Sequence, residues 1–143
     1  MEKVLVVYWS GTGNTKLMAE SVAQGAKKAG AEAVLAEVGN ITVQAAAEYS
    51  RIAFGCPSMG DEVLEEGEME PFFAEVEAKL HGKKIALFGS YGWGDGQWMR
   101  DWEARVKSAG ADLCGGEGVI CNDMPDEDAL TECKKLGESL AVM

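Results

Sequence analysis

The amino-acid sequence predicts a doubly wound α/β sandwich, on three observations. Short apolar runs without polar alternation recur along the chain, segments with apolar residues at helical spacing stand between them, and the two patterns alternate five times. Unalternating runs mark strands covered on both faces, the condition of a parallel sheet whose connections are helices.

The first run is "VLVVY" (4–8). Past the loop 9–15, Met18, Val22 and Ala26 stand four residues apart and so share one face of a helix. "AEAVLAEV" (31–38) reads as a flanking strand, and 42–49 as a poor helix. "RIAFG" (51–55) is the third strand; after a long loop, 56–68, the residues Phe72, Phe73, Val76 and Leu80 take up helical spacing again. "KIALFG" (84–89) is the fourth strand. The loop 90–97 leads into a helix with Trp98, Trp102 and Val106 on its inner face, where Asp101–Arg105 and Glu103–Lys107 have the order of i,i+4 ion pairs. A weaker "GVIC" (118–121) forms the fifth, flanking strand, and Leu130, Cys133, Leu136 and Leu140 make the stripe of the last helix. No linker, repeat or low-complexity stretch intervenes. With 143 residues and 47% apolar content the chain has enough for one core, so 1–143 is expected to be a single domain.

Thirteen Lys and Arg against 24 Asp and Glu leave a formal charge of −11. Such a surface repels phosphate backbones and anionic lipid, which excludes nucleic acid and membrane as partners. No stretch approaches the roughly 18 apolar residues of a membrane helix, and "MEK" runs straight into the first strand, so a cytoplasmic location is expected. The acids cluster: residues 52–78 hold eight and residues 108–133 seven, neither run with a single Lys or Arg. Cys56, Cys114, Cys121 and Cys133 lack C-x-x-C spacing and read as buried or half-buried thiols. His81, the only histidine, lies where the third major helix should end and is structural there; no Ser/His/Asp set, Cys/His pair or calcium-loop spacing exists, and no metal is expected.

In this fold class ligands bind at the carboxyl ends of the strands, where strand order reverses. Three strand-to-helix loops are unusual: 9–15, 56–68 and 90–97. The first, "SGTGNT", is neither a Walker A loop nor a dinucleotide loop, which would need a third glycine at Lys16. It offers Ser10, Thr12, Asn14 and Thr15 as side-chain donors, and Gly11 and Gly13 as hinges, immediately before a helix N-terminus whose orphan amides attract an anion. A terminal phosphate fits this loop; a tight turn with Thr12 or Asn14 as a helix cap is the alternative.

"YWSGTGNT", with "CPSMGDEVLEEGEMEPFF" and "GKKIALFGSYGWGDGQWMRDWE", resembles the flavodoxins over nearly the whole chain, most weakly at 31–50 and 108–122; with no room for a strand-five insertion, the likeness is to the short-chain members. The resemblance, and not the periodicity, supplies a five-stranded parallel sheet of order 2-1-3-4-5 and noncovalent FMN as cofactor. It implies that Ser10, Gly11, Thr12, Gly13, Asn14 and Thr15 hold the phosphate, and that Ser58, Met59, Gly60, Asp61, Ser90, Tyr91, Gly92, Trp93, Gly94 and Asp95 hold the ring. Met59 would pack on the inner face and Trp93 on the outer, surfaces suited to a polarizable ring. Trp98 and Trp102 belong to the core or its rim, while Trp9 fits either place.

"MGDE" (59–62) reads as a four-residue turn in which Gly60 permits positive φ and Asp61 tolerates it. In flavodoxins the peptide at this position flips on uptake of an electron and a proton. The resemblance places "SYGWGDG" (90–96) at the pyrimidine edge, where its glycines would let backbone amides approach, and the segment has no Lys or Arg to set against N1. Each carboxylate about 10 Å from the ring opposes an added negative charge by roughly 0.4 kcal/mol in water, so the acidic runs lower the second reduction potential and attract basic partners.

The resemblance therefore implies a low-potential one-electron carrier, cycling mainly between neutral semiquinone and anionic hydroquinone. Its partners would be redox proteins with basic docking surfaces, such as reductases, oxidoreductases and iron–sulfur enzymes. A monomer is expected, because a carrier exposes its flavin edge to more than one partner. The alternative is a flavin-dependent NAD(P)H or quinone reductase, which would need a pocket where Trp93 is expected. A phosphoacceptor receiver domain fails, since Trp9-Ser10 and Gly55-Cys56 stand where its acids belong.

Overall fold

All but the first residue of strand β1 (Lys3–Tyr8) are buried, because the chain has core on both sides of it. Val4, Val6 and Tyr8 face one cluster of buried side chains and Leu5 and Val7 face another, which is why its sequence shows no alternation. The structure, a computed structural model, describes residues 2–143. Beside β1 lie β2 (Glu32–Glu37), β3 (Arg51–Gly55), β4 (Lys84–Tyr91) and β5 (Asp112–Leu113), in the parallel order β2-β1-β3-β4-β5. Helices α1 (Asn14–Lys28) and α5 (Glu127–Val142) cover one face; α2 (Val43–Ala47), α3 (Met69–Val76) and α4 (Gln97–Ser108) cover the other. The expected poor helix at 42–49 is α2, five residues long, with the Thr42 side chain accepting from the Ala45 amide.

The fifth position of the sheet differs from the expected single strand at 118–121. Two segments share it: β5 pairs with Lys84 and Ile85 of β4, and β6 (Val119–Asn122) pairs with Phe88 to Tyr91. Between them the chain loops out through Cys114–Gly116, where Gly115 and Gly116 take φ of 72° and 77°. Paired glycines in this left-handed region end one strand before the next begins.

The ion pairs expected along α4 do not form. Arg105 instead reaches across to α3, with Nη1 to Glu70 at 2.7 Å and Nη2 to Glu77 at 3.1 Å, while its guanidinium lies 4.9 Å from the Phe73 ring centroid. Glu103 accepts from the Gly118 amide, and Asp101 from Gln97. A planar fork held by two carboxylates and an aromatic face gives more than one solvated helical pair. His81 lies beyond α3, which gives way to a 3-10 turn at Glu77–Lys79, and sits against Gly110. Cys56, Cys114 and Cys133 are buried, Cys121 is half-buried, and all four thiols are free. Among the described residues no helix is long and apolar enough to cross a membrane.

Helices α1 and α5 approach backbone to backbone. A Cβ at Gly25 would overlap the Lys134 carbonyl, and one at Gly137 would overlap the Val22 carbonyl, so each helix supplies a glycine where the other crosses.

Candidate functional site

Strand β1 leads to its neighbour β2 on one side, whereas β3 leads to β4 on the other. The connections leaving the carboxyl ends of β1 and β3 therefore diverge, and a cleft of about 220 Å³ opens between them. Of the expected site residues, Gly11, Thr12, Asn14, Ser58, Met59, Ser90, Tyr91 and Gly92 line it, so all three loops meet there. Ser10, Gly13, Thr15, Gly60, Asp61, Trp93, Gly94 and Asp95 belong to the same loops and the start of α1 but are not among the lining residues.

The first loop presents mainly backbone. Gly13 is the N-cap of α1 at φ 99°, and neither Thr12 nor Asn14 caps the helix as the alternative reading of the loop requires. Thr12 Oγ1 instead accepts weakly from the Asn14 amide, at 3.4 Å, and Ser10 Oγ accepts from Gly13 and Lys16 at 3.1 and 3.2 Å. Among the described residues the amides of Gly11, Thr12 and Thr15 have no protein acceptor. Orphan amides at the start of a 15-residue helix, with no cationic side chain in the loop, form a donor set for an anion. Thr15 lies beneath, 1% exposed, its hydroxyl 3.2 Å from that of Ser90.

The second loop forms a small hairpin rather than the expected four-residue turn. Met59 and Val63 exchange backbone hydrogen bonds, both of 2.9 Å, and enclose Gly60, Asp61 and Glu62. Gly60 has φ 52°, and the second left-handed residue is Glu62, at 56°, in place of Asp61. Glu62 is held there by its own side chain: its Oε1 accepts from the Asp95 and Gln97 amides at 3.3 and 3.0 Å. It thus ties the second loop to the third and caps α4, whose N-cap Gly96 has no side chain to do so. Gly94 stands against the Glu62 carboxylate, where a Cβ would collide.

Asp95 is bound by Arg100 at 2.9 Å. Trp93 is 63% exposed on the third loop and Met59 37% exposed on the second. Burying a side chain of this size contributes roughly 1.5–3 kcal/mol, so Met59 in the cleft wall and Trp93 next to the lining residue Gly92 are apolar groups that a flat aromatic ligand could cover. Tyr91 packs against Trp98, ring centroids 5.6 Å apart, and Trp98 Nε1 donates to the Cys56 carbonyl. Burial pushes the Cys56 thiol up to about 12, so no thiolate nucleophile stands beside the cleft.

The structure settles the position of Trp9, which the sequence leaves open, and adds two residues that sequence reasoning missed, Asp123 in the cleft and Glu62 beside the third loop. Trp9 lines the wall, with Nε1 donating to Glu68. Asp123, at φ 58°, arrives from the loop after β6, its amide donating to the Tyr91 carbonyl at 2.8 Å. Each of the three depends on a contact between residues far apart in the chain, for which composition carries no signal; a bulky residue at positive φ becomes visible only in coordinates.

The acidic run 52–78 is less free than its composition suggests. Arg105 neutralises Glu70 and Glu77, Glu68 accepts from Trp9, and Glu62 caps α4. Glu65 accepts from the amides of Gly67, Glu68 and Met69 at 2.7, 2.7 and 3.0 Å, at the start of α3. Burial alone would raise its pKa, but the three amides outweigh that and hold the carboxyl below its ordinary range. A pKa lower in the folded state than in the unfolded one stabilises the fold above the unfolded value and ceases to do so as pH falls through the folded one. Glu65→Gln should therefore flatten the loss of Tm between about pH 5 and pH 3; identical acid-side slopes in thermal melts would show that this network contributes nothing.

The family described as Flavodoxin matches residues 6–137. The flavodoxin of Megasphaera elsdenii is 46% identical over 138 residues, 96% of this chain and 98% of that protein. That of Clostridium beijerinckii is 45% identical over 136 residues, 95% and 97% of the two. The solution structure of two-electron reduced Megasphaera elsdenii flavodoxin superposes with a TM-score of 0.89 at 45% identity, covering 98% of this chain and 99% of that one.

Proposed function

Because this chain belongs to the flavodoxin family, we propose that it is an electron carrier that binds FMN noncovalently in the cleft. The observation that carries the reading is the first loop: the unpartnered amides of Gly11, Thr12 and Thr15 at the start of α1 suit a terminal phosphate. Met59 and Trp93 border the ring, and Ser58, Gly60, Asp61, Ser90, Tyr91, Gly92, Gly94 and Asp95 supply the surrounding backbone. Bound FMN provides one-electron redox chemistry, with cycling mainly between the neutral semiquinone and the anionic hydroquinone.

The chain's own contribution is electrostatic and mechanical. The three loops contain no Lys or Arg, and Arg100 beside them is engaged by Asp95. Nothing in them compensates a negative charge added to the ring, and Asp61 and Glu66 of the second loop and Asp123 in the cleft wall, which have no ion pair among the described residues, oppose it. The same acids draw in partner proteins with basic docking faces. Electron transfer to such a partner should slow by about tenfold between low salt and roughly 0.5 M, as the Debye length shrinks; a rate that ignores ionic strength in stopped-flow mixing would assign the acids to solvation alone.

Stepwise anaerobic reduction of the FMN-loaded protein tests the reading. A blue one-electron species before bleaching is expected. Direct bleaching, with rapid NADPH oxidation by the isolated protein, would favour a reductase instead.

A further inference from the structure

Trp9 stands between two clefts. One is the cofactor cleft; the other, of about 250 Å³, lies at the carboxyl end of β2 and is lined by Ser10, Glu37, Asn40 and Glu68. The residue is fixed at several points. Its backbone amide donates to the Gly55 carbonyl at 3.0 Å, and its indole Nε1 donates to Glu68 Oε1 at 3.1 Å, across 59 residues of sequence. Glu68 reaches this position because Gly39 leaves room: a Cβ there would lie 2.6 Å from Glu68 Oε2. At its other edge the indole lies over Gly11, where a Cβ would be 3.0 Å from Cη2 and 3.3 Å from Cζ3.

We propose that Trp9 and Glu68 form a brace on the loop 10–13, holding the free amides of Gly11 and Thr12 in place and so making the chain select flavins that carry a terminal phosphate. This rests on the reading of that loop as the phosphate site. Glycine loses more backbone freedom on ordering than any other residue, and the loop contains two. An indole packed over Gly11 before the ligand arrives removes part of that cost from binding. Neither side chain touches the phosphate, so both are positioning residues. Glu68 is itself an anion and opposes a phosphate by charge while favouring it by geometry. The two effects predict opposite signs.

The test is equilibrium titration of the FMN-free protein with FMN and, separately, with riboflavin, which lacks the phosphate. The ratio of the two affinities is the readout. Wild type should prefer FMN. W9F, which keeps a ring but loses the donor, and E68A should each lower the ratio by about fivefold to tenfold, the worth of one hydrogen bond to a charged group at a partly exposed place. The W9F/E68A double variant should fall no further than the lower single, because both remove one contact. E68Q retains an acceptor and loses the charge, so its ratio should equal or exceed that of wild type. Glu68 is exposed, and E68A carries the test if W9F does not fold.

Ratios within twofold of wild type in E68A and W9F would overturn the brace alone, as would a loss shared equally by FMN and riboflavin. So would a ratio that rises in E68A as it does in E68Q, which would reduce Glu68 to its charge. A wild-type protein indifferent to the phosphate would overturn the brace and the reading beneath it together.

Discussion

Gly25→Ala should destabilise the protein, although alanine is the better helix former. On an isolated helix the exchange gains about 1 kcal/mol from reduced backbone entropy. Here the new methyl would meet the Lys134 carbonyl of the facing helix, and a backbone group has no rotamer to escape into. Overpacking of this kind costs about 1–3 kcal/mol in well-packed interiors, and a rigid obstacle belongs at the upper end. The net loss should be about 1–2 kcal/mol, or roughly 3–8 °C in Tm. Gly137→Ala, meeting the Val22 carbonyl from the other side, should do the same. The double variant should lose less than the sum of the two, because one separation of the helices relieves both clashes. Differential scanning calorimetry decides it: a Tm that rises in either single variant would mean that the two helices are not in backbone contact.

Gly60→Val should make uptake of the first electron harder. Gly60 sits at φ 52° within a hairpin locked at both ends by the paired hydrogen bonds of Met59 and Val63 and anchored to the third loop by Glu62. Left-handed geometry costs an L-residue roughly 1–2 kcal/mol, and a β-branched side chain more. If the Gly60–Asp61 peptide flips as the resemblance to flavodoxins implies, its carbonyl would meet the proton that accompanies the first electron, an interaction present only after reduction. A strained residue at this hinge takes away part of that stabilisation. At 59 mV per tenfold for one electron, a cost of 1–2 kcal/mol lowers the first midpoint potential by about 40–90 mV. The second potential, set mainly by charge, should move less. Anaerobic redox titration reads both; an unchanged first midpoint would show that the peptide takes no part.

These two glycines show what kind of information the sequence carries. Strands β1, β3 and β4 were legible because both faces of each are covered, which removes polar residues from the run. The first loop was legible because its hydroxyls, hinges and helix start are consecutive residues. β5 was not: two residues opposite Lys84 and Ile85 leave no periodicity to detect. Helical spacing pairs Arg105 with Asp101, yet two glutamates and a phenyl ring near α3 hold its guanidinium more strongly than one solvated carboxylate would. Glu62 and Glu68 both looked like members of a solvated acidic run. Their roles depend on partners more than thirty residues away, Gln97 for one and Trp9 for the other, and no local pattern encodes such a distance. Gly25 and Gly137 are likewise ordinary helical glycines until the two helices are packed.

The central claim is that backbone amides at the start of α1 hold the phosphate of FMN. It is tested most directly by the amide proton and nitrogen resonances of the protein as FMN is added. The account predicts the largest downfield shifts at Gly11, Thr12 and Thr15, with smaller changes at Met59, Gly92 and Trp93. Amides of residues 11–15 that stay in place while FMN binds would contradict it, as would a protein that binds no FMN at all.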